Sequence, residues 1–263
     1  MAPIMARLSK LSRSIAGRGA LVTGAASGMG RATAHLFADE GAQVAVTDLG
    51  KEGVERVVDE IKSAGGSARG WVMNVADDSE VARVVPEIAA AFGRLDIVVN
   101  NAGISRFTKI DADDFMAHWT ISLEVLLTAH ARVIRAALPF LRKSDAARIV
   151  NIASTEALGA TKYGSPYTAA KSGVVGLTRS LAVELGPERI TVNCICPGPI
   201  RTGMTAGIPE EHKAIFARRR VALQRYAEPE EVAHGTLNFC LPASQYITGA
   251  VLPVDGGMTI KNA

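Results

Sequence analysis

Tyr167 and Lys171 stand four residues apart in the run SPYTAAK, behind Pro166 and among small residues. Residues at i and i+4 of a helix are neighbours, so a phenol and an ammonium share one face. A phenol titrates near ~10 and serves proton transfer at neutral pH only where a cation stabilises its anion. Lys171 is such a cation one turn along, and its length also lets it reach a ribose hydroxyl of a bound nucleotide. Tyr167 then reads as the general acid or base for an alcohol/carbonyl pair. Ser154, 13 residues before Tyr167, adds a hydroxyl able to converge on the same point. Taken alone, the pair reads better as one turn of an amphipathic surface helix, so the elements around it have to decide.

Those elements alternate. Residues 20–23 form a short apolar run that ends in glycines, and 28–40 follow a helical pattern. Further strands are expected at 43–48, 68–73, 97–100, 148–152, 191–196 and 250–254. Helices are expected at 51–64, 80–92, 113–138 (ended near Pro139), 167–185 and 230–241. Short apolar strands alternating with helices predict an α/β fold, a parallel sheet covered on both faces. Ligands of such sheets sit at the carboxyl ends of the strands. The loops to inspect therefore begin at Thr23, Asp48, Asn100, Ile152 and Cys196.

The first loop reads TGAASGMG, with Gly24, Gly28 and Gly30 between a strand and a helix. Glycines let the backbone turn tightly and approach a pyrophosphate, which the helix N-terminus attracts. A tight strand-to-helix turn needs them as well. Asp48 closes the second strand, 18 residues beyond Gly30. A carboxylate there accepts hydrogen bonds from an adenosine ribose diol and repels a 2′-phosphate, which favours NAD over NADP. It also suits a turn before Gly50. Lys51 is a nearby cation that softens the preference. Asn100 and Asn101 open NNAG, where carboxamides can pin neighbouring loops.

The set resembles the short-chain dehydrogenase/reductase family in its single-domain form, from about Gly17 to Gly257. TGAASGMG is similar to the family's TGxxxGxG turn, NNAG to its fourth-strand motif, and Ser154 with Tyr167 and Lys171 to its catalytic set. NCICPGPIRT and GAVLPVDGG resemble its segments at the sixth and last strands. Each motif is weak alone; five in order are specific. The resemblance implies a Rossmann-like doubly wound parallel sheet, seven strands with helices on both faces, commonly in a homotetramer. It implies hydride transfer between a nicotinamide and a substrate carbon. Tyr167 would be the acid/base, Lys171 the ribose ligand and phenol activator, and Ser154 a hydrogen bond to the substrate oxygen. The cofactor set carried over is Gly24, Ser27, Gly28, Met29 and Gly30 in the turn, Asp48 with Leu49, and Asn74 with Val75. Asn101, Ala102 and Gly103 join it after the fourth strand, and Pro197, Gly198, Ile200 and Thr202 after the sixth.

Two positions depart from the family pattern. Its fourth helix usually carries an Asn that helps hold a proton-relay water near the lysine. The aligned run ISLEV puts Ser122 there and Val125 at a usual glycine. Ser122 is expected to hold the water together with a backbone carbonyl, which makes it a fourth catalytic candidate. Asn74 stands where an Asp often contacts the adenine. Residues 203–224 fall where family members carry a mobile substrate lid. Arg218–Arg220 within it form either a solvated face or a clamp for an acidic substrate. Glu156 is expected at the pocket mouth. Ala157, Leu158, Ile208 and Phe216 point to a hydrophobic secondary alcohol, steroid-like, terpenoid-like or cyclic.

The expected function is therefore NAD-dependent oxidation of a secondary alcohol or reduction of its ketone. A 3-oxoacyl-thioester reductase is the alternative within the class, for which Asp48 is awkward because such reductases usually take NADPH. A non-catalytic dinucleotide-binding scaffold or sensor is the alternative outside it. Composition closes other routes: a net charge of +3 is too mild to imply nucleic acid. No apolar run reaches the ~18 residues of a membrane span. Cys194, Cys196 and Cys240 form no disulfide framework, and the histidines show no metal-ligand spacing. A cytoplasmic, metal-free enzyme is expected. No linker interrupts the chain, so 17–263 reads as one domain behind an N-terminal extension, 1–16. Residues 1–18 hold four basic residues and no acid, with Leu8, Leu11 and Ile15 at helical spacing. That is a transit peptide or a short extension on the domain surface, and the missing cleavage site favours the second.

Overall fold

The computed structural model describes residues 8–262. Its first half runs β1 (Gly19–Thr23), α1 (Gly28–Asp39), β2 (Gln43–Asp48), α2 (Lys51–Ser63), β3 (Ser67–Val72), α3 (Asp78–Phe92) and β4 (Ile97–Asn100). Then come α4 (Phe115–Leu123), α5 (Ala129–Leu141), β5 (Arg148–Ile152), α6 (Ser165–Leu185) and β6 (Thr191–Pro197). The chain closes with α7 (Glu210–Arg220), α8 (Pro229–Cys240) and β7 (Val251–Val254). All strand pairs are parallel, in the order β3-β2-β1-β4-β5-β6-β7. This is the doubly wound sheet expected from the alternation. Its winding reverses between β1 and β4, which opens a crevice at their carboxyl ends.

The inner strands are largely apolar because both faces are covered, whereas the edge strand β3 (SARGWV) is mostly exposed. Along β1, Ala20 and Val22 enter one core with α1, α2 and α8, while Leu21 enters the other with α3, α5 and α6. β2 does the same with Val44 and Val46 against Ala45, as the two-residue period of a strand requires. Cys194 and Cys196 are free, fully buried thiols in a third cluster with Ala153 and Val174. Among the described residues no helix is long and apolar enough to cross a membrane.

Two expectations need correction. The single helix expected over 113–138 starts at Phe115, is interrupted by a π turn, Glu124–Thr128, and resumes as α5 through Pro139 to Leu141. Pro139 is tolerated because it is exposed in the last turns, where water can serve the carbonyl it leaves unpaired. The spacing of Leu8, Leu11 and Ile15 forms no helix. Ser12 and Ser14 hydroxyls accept the Ser14 and Ala16 N–H groups, local bonds that compete with helix formation. Ile15 alone enters the core, while Leu8 and Leu11 stay exposed. Residues 1–7 of the expected extension lie outside the described residues.

Candidate active site

The crevice between the β1 and β4 loops is a cleft of about 340 Å³. Gly24, Ser27, Gly28, Met29, Asp48 and Leu49 line it from the first two loops. Asn74, Val75, Asn101, Ala102, Gly103 and Thr202 complete most of the expected set. Its shape depends on missing side chains. Gly24 has φ +65°, and a Cβ there would lie 2.7 Å from the Ala102 Cα. A Cβ on Gly30 would run into the Gly24 carbonyl oxygen. The Asn101 carboxamide stitches the two loops, donating to the Thr23 and Gly24 carbonyls at 2.9 and 3.1 Å.

The cleft fits a dinucleotide. No side chain caps α1: Ser27 makes no capping bond and the first turn has no acid. Free N–H groups and the positive end of the helix dipole therefore face the cleft, as a pyrophosphate needs. Asp48 accepts the Ala26 N–H (3.0 Å) and the Leu49 N–H (2.7 Å). It pins the glycine turn, and each carboxylate oxygen keeps a lone pair for a ribose diol. Arg56, which the sequence reading passed over, donates to the Ala26 carbonyl at 3.0 Å and stands beside the same turn. Its signal was only its place on the helix after Asp48.

Three expected cofactor residues also have structural contacts of their own. The Ile200 side chain is buried in the core, so only its backbone is available to a ligand. Gly198 packs against β7, where a Cβ would lie 2.7 Å from the Asp255 Cα. Asn74 uses its side-chain oxygen on the Ala76 N–H at 3.0 Å. Pro197 ends β6 beside Gly198.

The catalytic candidates meet at the carboxyl edge of β5. Ser154 follows β5 and accepts the Glu156 N–H at 3.1 Å. Tyr167 lies in the first turn of α6, which opens with Pro166, a residue suited to a helix start. Lys171 follows one turn later, fully buried, donating to the Ile152 carbonyl at 2.7 Å. Its Nζ is 5.8 Å from the Tyr167 ring centre. The small residues around it have a purpose: a Cβ on Gly173 would lie 2.7 Å from Leu127 on the π turn. α6 can therefore sit close against the interrupted helix.

Burial governs both ionisable groups. It raises the Tyr167 phenol above its ordinary value, the Ser154 hydroxyl opposes this, and the Glu156 charge adds to it. It lowers Lys171 to about 8, against the pull of Cys194 and Cys196 below it. Burial, rather than the Lys171 charge, sets the direction of the phenol's shift. The ammonium is turned to a backbone carbonyl instead.

The substrate side also differs from expectation. Glu156 does not wait at the mouth; its carboxylate accepts the Thr161 N–H and hydroxyl (2.8 and 2.7 Å) and the Thr168 hydroxyl (3.1 Å). It fastens the loop before α6. Phe216 packs edge-on against Tyr226 and lines a depression on α7 with His212, Ile215, Arg219 and Arg220. Arg218–Arg220 gather with Lys261 and Asn262, and no catalytic residue lines that pocket. Phe107 was missed: its ring stacks on Tyr167 with centres 6.3 Å apart. Only its position in the loop after β4 hinted at this.

Residues 24–259 match the protein family described as enoyl-(acyl carrier protein) reductase. The chain is 38% identical over 251 residues to a 3-oxoacyl-(acyl-carrier-protein) reductase of Thermotoga maritima, covering 93% of this chain and 98% of that protein. It is 38% identical over 250 residues to a cis-4-hydroxycyclohexanecarboxylate dehydrogenase of Sinomonas cyclohexanicum, covering 95% and 99%. A solved dehydrogenase/reductase from Sinorhizobium meliloti has a TM-score of 0.88 at 36% identity, covering 96% and 98%. The chain belongs to the short-chain dehydrogenase/reductase family, and it is an oxidoreductase of the alcohol/ketone couple that binds a nicotinamide dinucleotide.

Proposed function

We propose that the protein interconverts a hydrophobic secondary alcohol and its ketone with NAD as the preferred cofactor. The convergence of Ser154, Tyr167 and Lys171 beside the cleft carries this reading. The dinucleotide, when bound, supplies a nicotinamide carbon that takes or gives the hydride. The chain does the rest. Ser154 hydrogen-bonds the substrate oxygen, and Tyr167 exchanges a proton with it. Lys171 leaves the Ile152 carbonyl for a ribose hydroxyl and brings its charge nearer the phenol, favouring the anion. Residues 203–224 act as a lid, and exposed Phe107, Leu158, Met204 and Ile208 give the substrate apolar contact. The working form is a cytoplasmic homotetramer of one catalytic domain each, residues 17–263.

Asp48 sets the cofactor preference. A carboxylate facing a 2′-phosphate across a partly buried site disfavours NADP by roughly tenfold or more. Asp48→Ala should relax this, and the guanidinium of Arg56 beside the turn then favours the phosphate. Absorbance assays of a panel of secondary alcohols and sterols with NAD and NADP test both points. Higher catalytic efficiency with NADP in the wild type defeats the cofactor assignment. A 3-oxoacyl thioester is the second reading, favoured by the likeness to the Thermotoga maritima reductase. Faster reduction of a 3-oxoacyl-CoA than of any simple ketone would replace the first reading by the second.

A further inference from the structure

Phe107, in the loop between β4 and α4, is 47% exposed, yet its ring is held from two sides. It lies on the Tyr167 ring with centres 6.3 Å apart and planes 20° from parallel, an offset stack of the kind aromatic pairs favour. One edge of it lies over Gly164, where a Cβ would stand 2.9 Å from the Phe107 Cε1 and 3.5 Å from its Cδ1. Gly164 has φ −92°, which does not require glycine, so the missing side chain serves this close approach. Among the described residues Phe107 joins none of the core clusters, so holding the fold together is not what its ring is for.

The backbone fixes the same contact. The Thr108 N–H donates to the Tyr163 carbonyl at 2.9 Å and ties the loop of Phe107 to the segment before α6. Tyr163 takes φ +68°, in the left-handed region that a bulky residue rarely enters. Such a conformation persists only where its surroundings over-determine it. Here Glu156 fastens Thr161 and Thr168 on either side. The Thr168 N–H also donates to the Gly164 carbonyl at 2.8 Å. Phe107 is thus a half-exposed aromatic ring in a fixed pose, against the residue that exchanges the substrate's proton.

We propose that Phe107 is a specificity-determining residue whose free surface selects a flat ring carried on the carbinol carbon, with Gly164 as the residue that positions it. The proposal rests on the alcohol/ketone reading. A carbinol that hydrogen-bonds Tyr167 carries its carbon skeleton past the adjoining Phe107 ring. A rigid ring stacks there without first losing internal freedom, whereas a linear chain of equal carbon number has to be ordered. A stacked aromatic pair adds roughly two- to tenfold in affinity beyond the area it buries. The favoured substrates are therefore aryl-bearing secondary alcohols and their ketones, ahead of linear 2-alkanols.

1-Phenylethanol and 2-octanol have equal carbon number, and the linear alcohol is the more apolar. Phe107→Ala and Phe107→Leu should each lower the ratio of kcat/KM for 1-phenylethanol to that for 2-octanol by about fivefold, through KM more than kcat. Intrinsic benzylic reactivity cancels in that comparison with the wild type. Gly164→Ala pushes the Phe107 ring aside and should lower the same ratio; added to Phe107→Ala it should change the ratio no further. An unchanged ratio in Phe107→Ala overturns the proposal. So does a wild-type ratio in Phe107→Leu, since any apolar side chain would then serve. Titration of acetophenone and 2-octanone into the enzyme with oxidised cofactor, where no hydride can pass, gives a test without turnover. The wild type should bind acetophenone the more tightly, and Phe107→Ala should erase that preference. Tighter binding of 2-octanone by the wild type overturns the proposal whatever the activity. A preference for acetophenone that Phe107→Ala erases, in an enzyme that oxidises no alcohol, keeps the role of Phe107 and defeats the alcohol reading alone.

Discussion

Lys171 is held where an ammonium is costly, with one carbonyl for company and thiols beneath. Its drop from 10.5 to about 8 corresponds to roughly 3 kcal/mol of lost stability at neutral pH. The sign follows from proton binding: between about pH 8 and 10 the unfolded chain binds more protons than the folded one, so stability rises with pH there. Lys171→Met should therefore raise Tm while abolishing turnover and weakening NAD binding, measured by calorimetry and cofactor titration. A lower Tm would mean that the bond to Ile152 outweighs the burial. Tyr167→Phe separates the roles: kcat should fall by about 10²-fold or more, the usual worth of a positioned acid/base, with NAD affinity nearly intact. A variant that keeps most of its activity would move the acid/base elsewhere.

The first strand-turn-helix unit is rigid for a geometric reason. A Cβ at position 30 would meet the Gly24 carbonyl and the Asn101 carboxamide bonded to it, so a methyl group there has to displace the turn. Gly30→Ala should cost about 1–3 kcal/mol of stability and weaken NAD binding more than it alters kcat. Urea unfolding with cofactor titration checks both, and unchanged affinity would mean that the turn does not hold the pyrophosphate. The interrupted helix α4–α5 shows the opposite case. Its apolar periodicity passes through Val125, Leu126 and Leu127 without a break, so nothing in the composition announces the π turn. α6 packs directly against it.

Opposite the active edge, the sheet is tied together by charge. Asp96 is fully buried and accepts the Gly19 N–H, the Arg94 guanidinium and the Ser144 hydroxyl. Arg18, in the segment leading into β1, pairs with Asp145 and approaches Asp96 at 3.5 Å. Burial pushes the Asp96 carboxyl up, but the bonds from Arg94, Ser144 and Gly19 outweigh it and the net shift is downward. A depressed carboxyl stabilises above the unfolded pKa of about 4 and loses that contribution as pH falls through the folded value. Asp96→Asn should cost about 2–4 kcal/mol near neutrality and flatten the acid limb of a stability-versus-pH curve. An unchanged acid limb would assign acid unfolding to other carboxylates.

Much of this protein is legible in one dimension because the information is local. Strand and helix periods, the glycine turn, Asp48 at a strand end and the four-residue step from Tyr167 to Lys171 all follow from neighbours along the chain. They were enough for the fold class and for the catalytic candidates. Other features depend on residues brought together from far apart, whose pairing no local pattern encodes. Phe107 in the loop after β4 meets Tyr167 on α6, Glu156 is spent on Thr161 and Thr168, and Arg218–Arg220 gather with the C-terminal Lys261 and Asn262. The π turn between α4 and α5 is the clearest instance, since α6 sits against its Leu127 only because Gly173 has no side chain, and no local pattern encodes that packing.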